Sequence, residues 1–304
     1  MVLTVDYDSI LLKFDSLAAQ GVINYSPPNI LHLVDGGYPF EFRISHSLLG
    51  KPQAEEELKS PEKTLPDAVD SRPVCFGPGS DIANSHPDLL ITTVRDTHLL
   101  VINKFPLFRP HLLLLTADSY RRQHEPLSLQ DIDAAWTVLN SLKSPHYAMF
   151  NCTVVAGASR DHKHLHIIPM PDPKSGFCFF PDTDQVKPEN VPFRYSLKYF
   201  SEQHSEKTIT ASDLFEVYEG LLKQTRELLG LLDENPICSH NVMLTKEWII
   251  SIPRRNIQYH GATANTAGMM GSVWLMKETQ LDHLKELGPS IMLSQLGLAA
   301  RAEE

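Results

Sequence analysis

The sequence predicts an α+β protein: an antiparallel sheet with flanking helices. Three observations carry that expectation. Short apolar or alternating runs recur at residues 40–44, 89–91, 99–102, 112–115, 241–244 and 248–252. Separate segments at 6–20, 128–139, 212–233 and 281–287 carry apolar residues at helical spacing instead. Two strand–turn–strand segments, one ending at Pro169 and one at Pro253, share a layout and an Ile-Pro close. They suggest two pseudo-symmetric halves.

From the start of the chain, Ile10, Leu11, Phe14 and Leu17 give an amphipathic helix, and Pro27-Pro28 ends that region. Phe40, Phe42 and Ile44 alternate with Glu41 and Arg43, the period of a half-buried strand. Residues 51–73 are polar and dotted with proline, with acidic Glu55-Glu56-Glu57, and read as a flexible surface loop. Three apolar strands follow, the last two joined by a long connection at 103–111 that contains Pro106 and Pro110. Ser128 and Asp131 mark a helix start, and Ile132, Ala135, Trp136 and Leu139 form its stripe.

Val154-Val155 then reads as a strand ending in a small-residue turn, Ala156-Gly157-Ala158-Ser159, which leads into a histidine-rich strand ending at Pro169. Residues 170–192 form an irregular segment over the site. There Phe177, Phe179 and Phe180 either shield a bound base or anchor the segment to the core. The longest helix spans 212–233 and starts at Ser212, with Leu214, Val217, Tyr218, Leu221, Leu222, Leu228, Leu229 and Leu232 as its apolar stripe. After the second strand pair, Arg254 and Arg255 are placed to contact polyphosphate. Leu281, Leu284 and Leu287 make a helix stopped by Gly288-Pro289. The chain therefore divides into an N-terminal helix and strand (1–50), the loop (51–73), a half bearing the histidines (74–200) and a degenerate half with C-terminal helices (201–304).

A chain of 304 residues has room for one large or two modest domains, and 42% hydrophobic with 21% charged residues is ordinary for a soluble protein. A net charge of −10 argues against a broad nucleic-acid surface, so any polyphosphate site must concentrate its cations locally. Cys75, Cys152, Cys178 and Cys238 have no paired spacing and suggest neither disulfides nor a zinc ribbon. Asp6, Asp8, Lys13 and Asp15 interrupt the N-terminal apolar residues, so no signal peptide is read there, and no apolar run is long enough to span a membrane. A cytoplasmic or nuclear location is the expectation, as a monomer without nucleic-acid or membrane partners.

The chemistry centres on His162, His164 and His166, at alternate positions and therefore in one row on a strand. Solvent-facing imidazoles are one reading. A three-ligand metal centre is a second, but the outer Cα atoms of such a row are ~13 Å apart, against zinc–nitrogen bonds of about 2.0–2.1 Å. The third is covalent catalysis: one imidazole attacks phosphorus while its neighbours hydrogen-bond oxygens that gain charge. Only this one also uses the small-residue turn.

His162-Lys163-His164-Leu165-His166, preceded by Gly157-Ala158-Ser159-Arg160-Asp161, resembles the active-site segment of the histidine-triad superfamily, and more narrowly the fungal ATP adenylyltransferases or diadenosine tetraphosphate phosphorylases. Residues 97–106, 239–248 and 252–255 resemble further family segments. The resemblance implies a histidine-triad-like sheet and transfer of adenylyl groups among diadenosine polyphosphates, ATP, ADP and phosphate. It implies His164 as nucleophile with His162 and His166 assisting. Lys51, Asn103, Lys104, Gly157, Ala158, Ser159, Arg160, Asn265 and Gly268 would bind substrate. No covalent cofactor is implied; Mg2+ would travel with the polyphosphate.

Two residues depart from the phosphorylase pattern: His166 stands where those enzymes carry Gln, and Arg160 stands at another Gln position. The first is shared with the hydrolase branch. Water as acceptor, or a nucleotide-binding relative without turnover, therefore stay open beside phosphorolysis.

Overall fold

The computed structural model describes residues 6–50, 86–200, 209–231 and 237–300; the 51–73 loop, Lys51 and Leu232 lie outside them. Helix α1 (Tyr7–Ala19) buries Ile10, Phe14 and Leu17, as its spacing requires. Strands β1 (Asn29–Asp35) and β2 (Tyr38–Ile44) pair antiparallel, and β11 (Ser272–Leu275) adds to β2 in parallel. In β2 the expected alternation fails at one place. Glu41 is buried, because Arg43 donates to its carboxylate at 2.6 Å and removes the need for water.

The main sheet has eight strands in the order β3-β4-β5-β7-β6-β9-β10-β8, every neighbouring pair antiparallel. Its members are β3 (Leu90–Val94), β4 (His98–Ile102), β5 (Leu112–Thr116), β6 (His146–Cys152), β7 (His164–Pro169), β8 (Ser196–Tyr199), β9 (His240–Leu244) and β10 (Trp248–Pro253). Helix α2 (Leu129–Ser141) lies between β5 and β6 in sequence, and α3 (Ala211–Leu229) between β8 and β9. The units β5–α2–β6–β7 and β8–α3–β9–β10 thus repeat one another, with β5 pairing β7 as β8 pairs β10. They meet edge to edge at β6 and β9, where Asn151 faces Asn241.

Both helices start in the same capping box, Ser128 with Asp131 and Thr210 with Asp213. The cap of the longer helix is thus Thr210 rather than Ser212, and it stops at Gly230, whose φ of 66° closes the last turn.

Two cores cover the two faces of the sheet. On one, α1, α2 and α3 pack over Leu100, Leu114, Phe150, Leu165, Ile167 and Val242. On the other, Met149, Ile168, Met243 and Ile250 meet the three-stranded sheet and the C-terminal helices α5 (Glu278–Leu287) and α6 (Pro289–Leu296). Phe177, Phe179 and Phe180 belong to this second core, exposed by 1%, 1% and 7%, so the irregular segment is anchored by its aromatics. Among the described residues no helix is long and apolar enough to cross a membrane.

Candidate active site

Strand β7 is buried on both faces, which sorts its residues by parity. Leu165 and Ile167 enter the helix-side core, whereas Ile168 enters the opposite one, and His164 and His166 share its parity. Lys163 shares the parity of Leu165 and meets the first turn of α2, its Nζ 2.7 Å from Asp131 Oδ2 and donating to the Pro126 carbonyl at 2.6 Å. His98 Nε2 lies 3.0 Å from the other Asp131 oxygen. Burial pushes the Asp131 carboxyl up, but His98 and Lys163 outweigh it and hold it well below the usual carboxylate range. The central lysine of the motif is thus a buried fastener between strand and helix.

Carbonyl contacts assign the tautomers of His162 and His164. His164 Nδ1 is 2.7 Å from the His162 carbonyl oxygen, so Nδ1 carries the proton and the lone pair is on Nε2. His162 Nε2 is 2.9 Å from the Thr116 carbonyl and donates to it, and burial pushes its pKa down, which keeps the ring neutral. His162 therefore orients the central histidine through its main-chain carbonyl, while its own ring is tied to β5.

His166 is set by His111, which the motif search did not single out. His111 Nε2 lies 2.8 Å from His166 Nδ1, so the two rings share one hydrogen, and the Leu107 N–H, 3.4 Å from His111 Nδ1, favours its lying on His111 Nε2. The Asn103 amide nitrogen, 3.3 Å from the same Nε2, favours the opposite arrangement. Where His111 holds the shared hydrogen, His166 Nδ1 accepts it and His166 Nε2 bears a hydrogen to donate. The ring lies 5.2 Å from that of His164, centroid to centroid, and 6.2 Å from Trp274, which β11 brings in from the three-stranded sheet. His111 left no signal beyond being a polar residue at a strand start.

Gln123 is the other missed residue. It is 3% exposed and grips the main chain of His164 from both sides. Its Oε1 accepts from the His164 N–H at 2.8 Å, and its Nε2 donates to the carbonyls of His164 at 3.1 Å and Asn151 at 3.0 Å. An isolated glutamine in a turn-rich stretch carries no pattern to read.

The turn before the triad differs from its predicted form. Strand β6 ends at Cys152, and Val154–Ala156 is a 3-10 turn, with Val154 exposed rather than in a strand. Gly157 then takes a φ of 91°, and a Cβ there would lie 2.8 Å from the Asn265 Cα and 2.9 Å from the Ala264 carbonyl. The turn is pressed onto the 264–266 segment of the second half. There the Asn265 side chain accepts from the Gly268 N–H at 2.9 Å as the cap of α4 (Thr266–Met269), and Gly268 packs on Ala264.

The remaining expected site residues divide. Asn103 joins the His111–His166 pair, and Ala158, Ser159 and Arg160 continue the turn, each half-buried. Lys104 is exposed, with its ammonium 5.8 Å from the Phe105 ring centroid. Arg254 corrects the sequence reading. It is 2% exposed, and its guanidinium is occupied by protein oxygens, including the Asn241 amide and Ala264 carbonyl oxygens, both at 2.7 Å. Among the described residues no group of three or more His, Cys, Asp or Glu side chains is placed to hold a metal ion. The thiols of Cys152 and Cys238 are pushed up by burial to about 12 and about 11, which leaves them protonated and unreactive.

Residues 20–178 match the family model of the Ap4A phosphorylase N-terminal domain, and residues 189–299 that of the ATP adenylyltransferase C-terminal domain. Protein APA1 of Saccharomyces cerevisiae is 29% identical over 269 residues, 80% of this chain and 77% of its own length. Diadenosine 5',5'''-P1,P4-tetraphosphate phosphorylase 2 of the same yeast is 27% identical over 233 residues, covering 67% of this chain and 71% of its own. The crystal structure of yeast Ap4A phosphorylase Apa2 superposes with a TM-score of 0.77 at 22% identity, over 99% of this chain and 100% of that one. The same enzyme in complex with Ap4A gives 0.75, also at 22% identity and covering 99% and 100%. Those superpositions establish a shared fold.

Proposed function

The chain belongs to the family of Ap4A phosphorylases and ATP adenylyltransferases, and from that premise we propose that it cleaves diadenosine tetraphosphate with phosphate, giving ADP and ATP. The observation that carries the mechanism is the tautomer of His164. With its proton tied at Nδ1 by the His162 carbonyl at 2.7 Å, the ring presents a Nε2 lone pair. That nitrogen attacks the α-phosphorus of one adenosine. A P–N bond forms, the bond from the α-phosphorus to the bridging oxygen breaks, and ATP leaves with that oxygen. A phosphate oxygen then attacks the same phosphorus, the P–N bond breaks, and AMP departs as ADP.

His166 donates from Nε2 to a non-bridging α-oxygen as charge grows there. The turn of Gly157, Ala158, Ser159 and Arg160 holds the polyphosphate, and Asn103 supports the His166 side. Lys51, Lys104, Asn265 and Gly268 belong to this reading by family resemblance; for Asn265 and Gly268 the contacts observed are a helix cap and packing. The polyphosphate brings Mg2+ as its counter-ion. The reading also includes a monomer in the cytoplasm or nucleus.

The test is product analysis with diadenosine tetraphosphate, with and without inorganic phosphate. ADP plus ATP only when phosphate is present supports the proposal. AMP plus ATP without phosphate would make water the acceptor, an alternative that His166 favours. In parallel, His164→Ala should fold and lose the denaturation-stable adenylyl label.

A further inference from the structure

We infer that Arg254 is a charge-supplying residue for the polyphosphate: a buried guanidinium beneath the Gly157 turn whose counter-charge is the phosphate chain of the substrate. The inference rests on the functional reading above and goes beyond it, because the hydrogen bonds of the Arg254 side chain go to Asn241, Asn256, Ala264 and Leu296 rather than to residues 157–160.

Its side chain is 2% exposed, yet every partner is a neutral oxygen. Nη1 donates to the Asn241 amide oxygen and the Ala264 carbonyl, each at 2.7 Å. Nε donates to the Leu296 carbonyl at 3.2 Å and Nη2 to the Asn256 carbonyl at 3.4 Å. Among the described residues no carboxylate makes an ion pair with it. Glu41, Asp131 and Lys163, the other buried Asp, Glu, Lys or Arg side chains among the described residues, each have an opposite charge against them. An unpaired charge is costly to bury, and a scaffold that needed only donors would be served by a neutral amide. Burial lowers the Arg254 pKa to about 9, still above neutrality, so the charge persists at physiological pH.

Position supplies the reason for keeping it. The Asn241 amide that accepts from Arg254 donates in turn to the Ala156 carbonyl at 2.8 Å, one residue before Gly157. The Ala264 carbonyl, the other acceptor, lies 2.9 Å from where a Cβ of Gly157 would be. One layer of peptide therefore separates the guanidinium from the turn. The cation acts on a phosphate at the turn through that layer of protein. Unit charges about 8 Å apart at an effective dielectric of about 20 interact strongly enough to change affinity roughly 30-fold. In a chain of net charge −10, such a buried cation attracts polyphosphate without adding a surface that attracts other polyanions.

A purely structural arginine, bracing the 264–266 segment, would affect charged and uncharged ligands alike, and the experiment separates the two roles on that basis. Arg254→Lys and Arg254→Gln are made in the His164→Ala background, so that ligand is not consumed. Calorimetry gives Kd for adenosine, AMP and diadenosine tetraphosphate, and thermal melts report folding. Expected is a loss of roughly 30-fold for the tetraphosphate in Arg254→Gln, a smaller loss for AMP and none for adenosine, with Arg254→Lys within a few-fold of its parent. Equal losses for adenosine and the tetraphosphate, or a lysine variant as weak as the glutamine one, would overturn the inference.

If Arg254→Gln does not fold, Arg254→Lys is titrated to alkaline pH instead, where a buried lysine sheds its charge in place. The same charge-graded loss supports the inference, and unchanged tetraphosphate affinity overturns it. A parent protein that binds no tetraphosphate at all would sink the functional reading and this inference with it, a result distinct from any graded pattern.

Discussion

Replacing His111 by Leu tests the tautomer argument at its weakest-looking link, a residue that no part of the histidine motif contains. The change removes the donor 2.8 Å from His166 Nδ1 and leaves a side chain of similar bulk at a position 1% exposed. Without that donor the His166 proton is free to move to Nδ1, which turns a lone pair toward the phosphate oxygen that needs a hydrogen. Two magnitudes bracket the effect. Complete loss of one transition-state donor lowers kcat about 10²–10³-fold. Loss of only the bias toward one tautomer costs about one hydrogen bond, 0.5–1.5 kcal/mol, or roughly 2–12-fold.

Because His166 still populates the productive tautomer part of the time, the expected fall in kcat lies near the lower range, about 10-fold, with KM little changed. His111→Gln, which keeps an N–H donor, should recover most of it. Steady-state kinetics at saturating diadenosine tetraphosphate give the rate, and nitrogen-15 NMR of His166 reads the tautomer directly. A folded His111→Leu protein with unchanged kcat, or a glutamine variant as slow as the leucine one, would refute the reasoning.

Gln123→Leu removes three hydrogen bonds around the His164 and Asn151 main chain at once. Each orphaned buried group costs about 1–3 kcal/mol, so the melting temperature should drop clearly and kcat should fall about 10²-fold as the nucleophile loosens; a thermal melt and an adenylylation rate at wild-type values would contradict this role. Gly157→Ala meets both a φ of 91° and the Asn265 Cα at 2.8 Å, so the turn must shift. Expected is a cost of about 1–3 kcal/mol in denaturant unfolding together with weakened nucleotide binding, whereas full binding would show that the turn does not hold phosphate. His240 is buried, and burial pushes its pKa down from 6.5 to about 4. The unfolded chain takes up the proton first, so the stability it contributes is full above pH 6.5 and is lost as pH falls from there toward 4. About 2 kcal/mol should be gone by pH 5, and His240→Gln should flatten that part of the profile; an unchanged slope between pH 6.5 and 5 would rule His240 out as its cause.

What was readable in advance were features that depend on neighbours along the chain. Period-two and helical spacing located α1, β2, β4, β5, α2, α3, β9 and β10, and placed His164 and His166 on one row; the expected third member, His162, precedes β7 and bridges Arg122 instead. The repeated strand–turn–strand pattern foretold the two related units that meet at β6 and β9. Local pattern was misleading where a nearby partner changed the outcome. Thr210 with Asp213 outcompeted Ser212 as a cap, Val154-Val155 followed the turn rather than the ladder, and Arg43 drew Glu41 inside.

By itself the sequence determined that His164 and His166 share a face of β7, because strand parity is a property of successive residues and survives any packing. The fold alone decided what holds the His162 and His166 rings and the His164 main chain. That depends on His111, Gln123 and Thr116, which lie 55, 41 and 46 residues from their histidine partners and reach them only through sheet register and turn packing. The same holds for Arg254, whose identity as an arginine is written in the chain but whose burial beneath the Gly157 turn follows from Asn241 and Ala264 closing around it. Hydrogen-bond partners and local dielectric are set by distance in space, and distance in space is what a linear sequence does not contain.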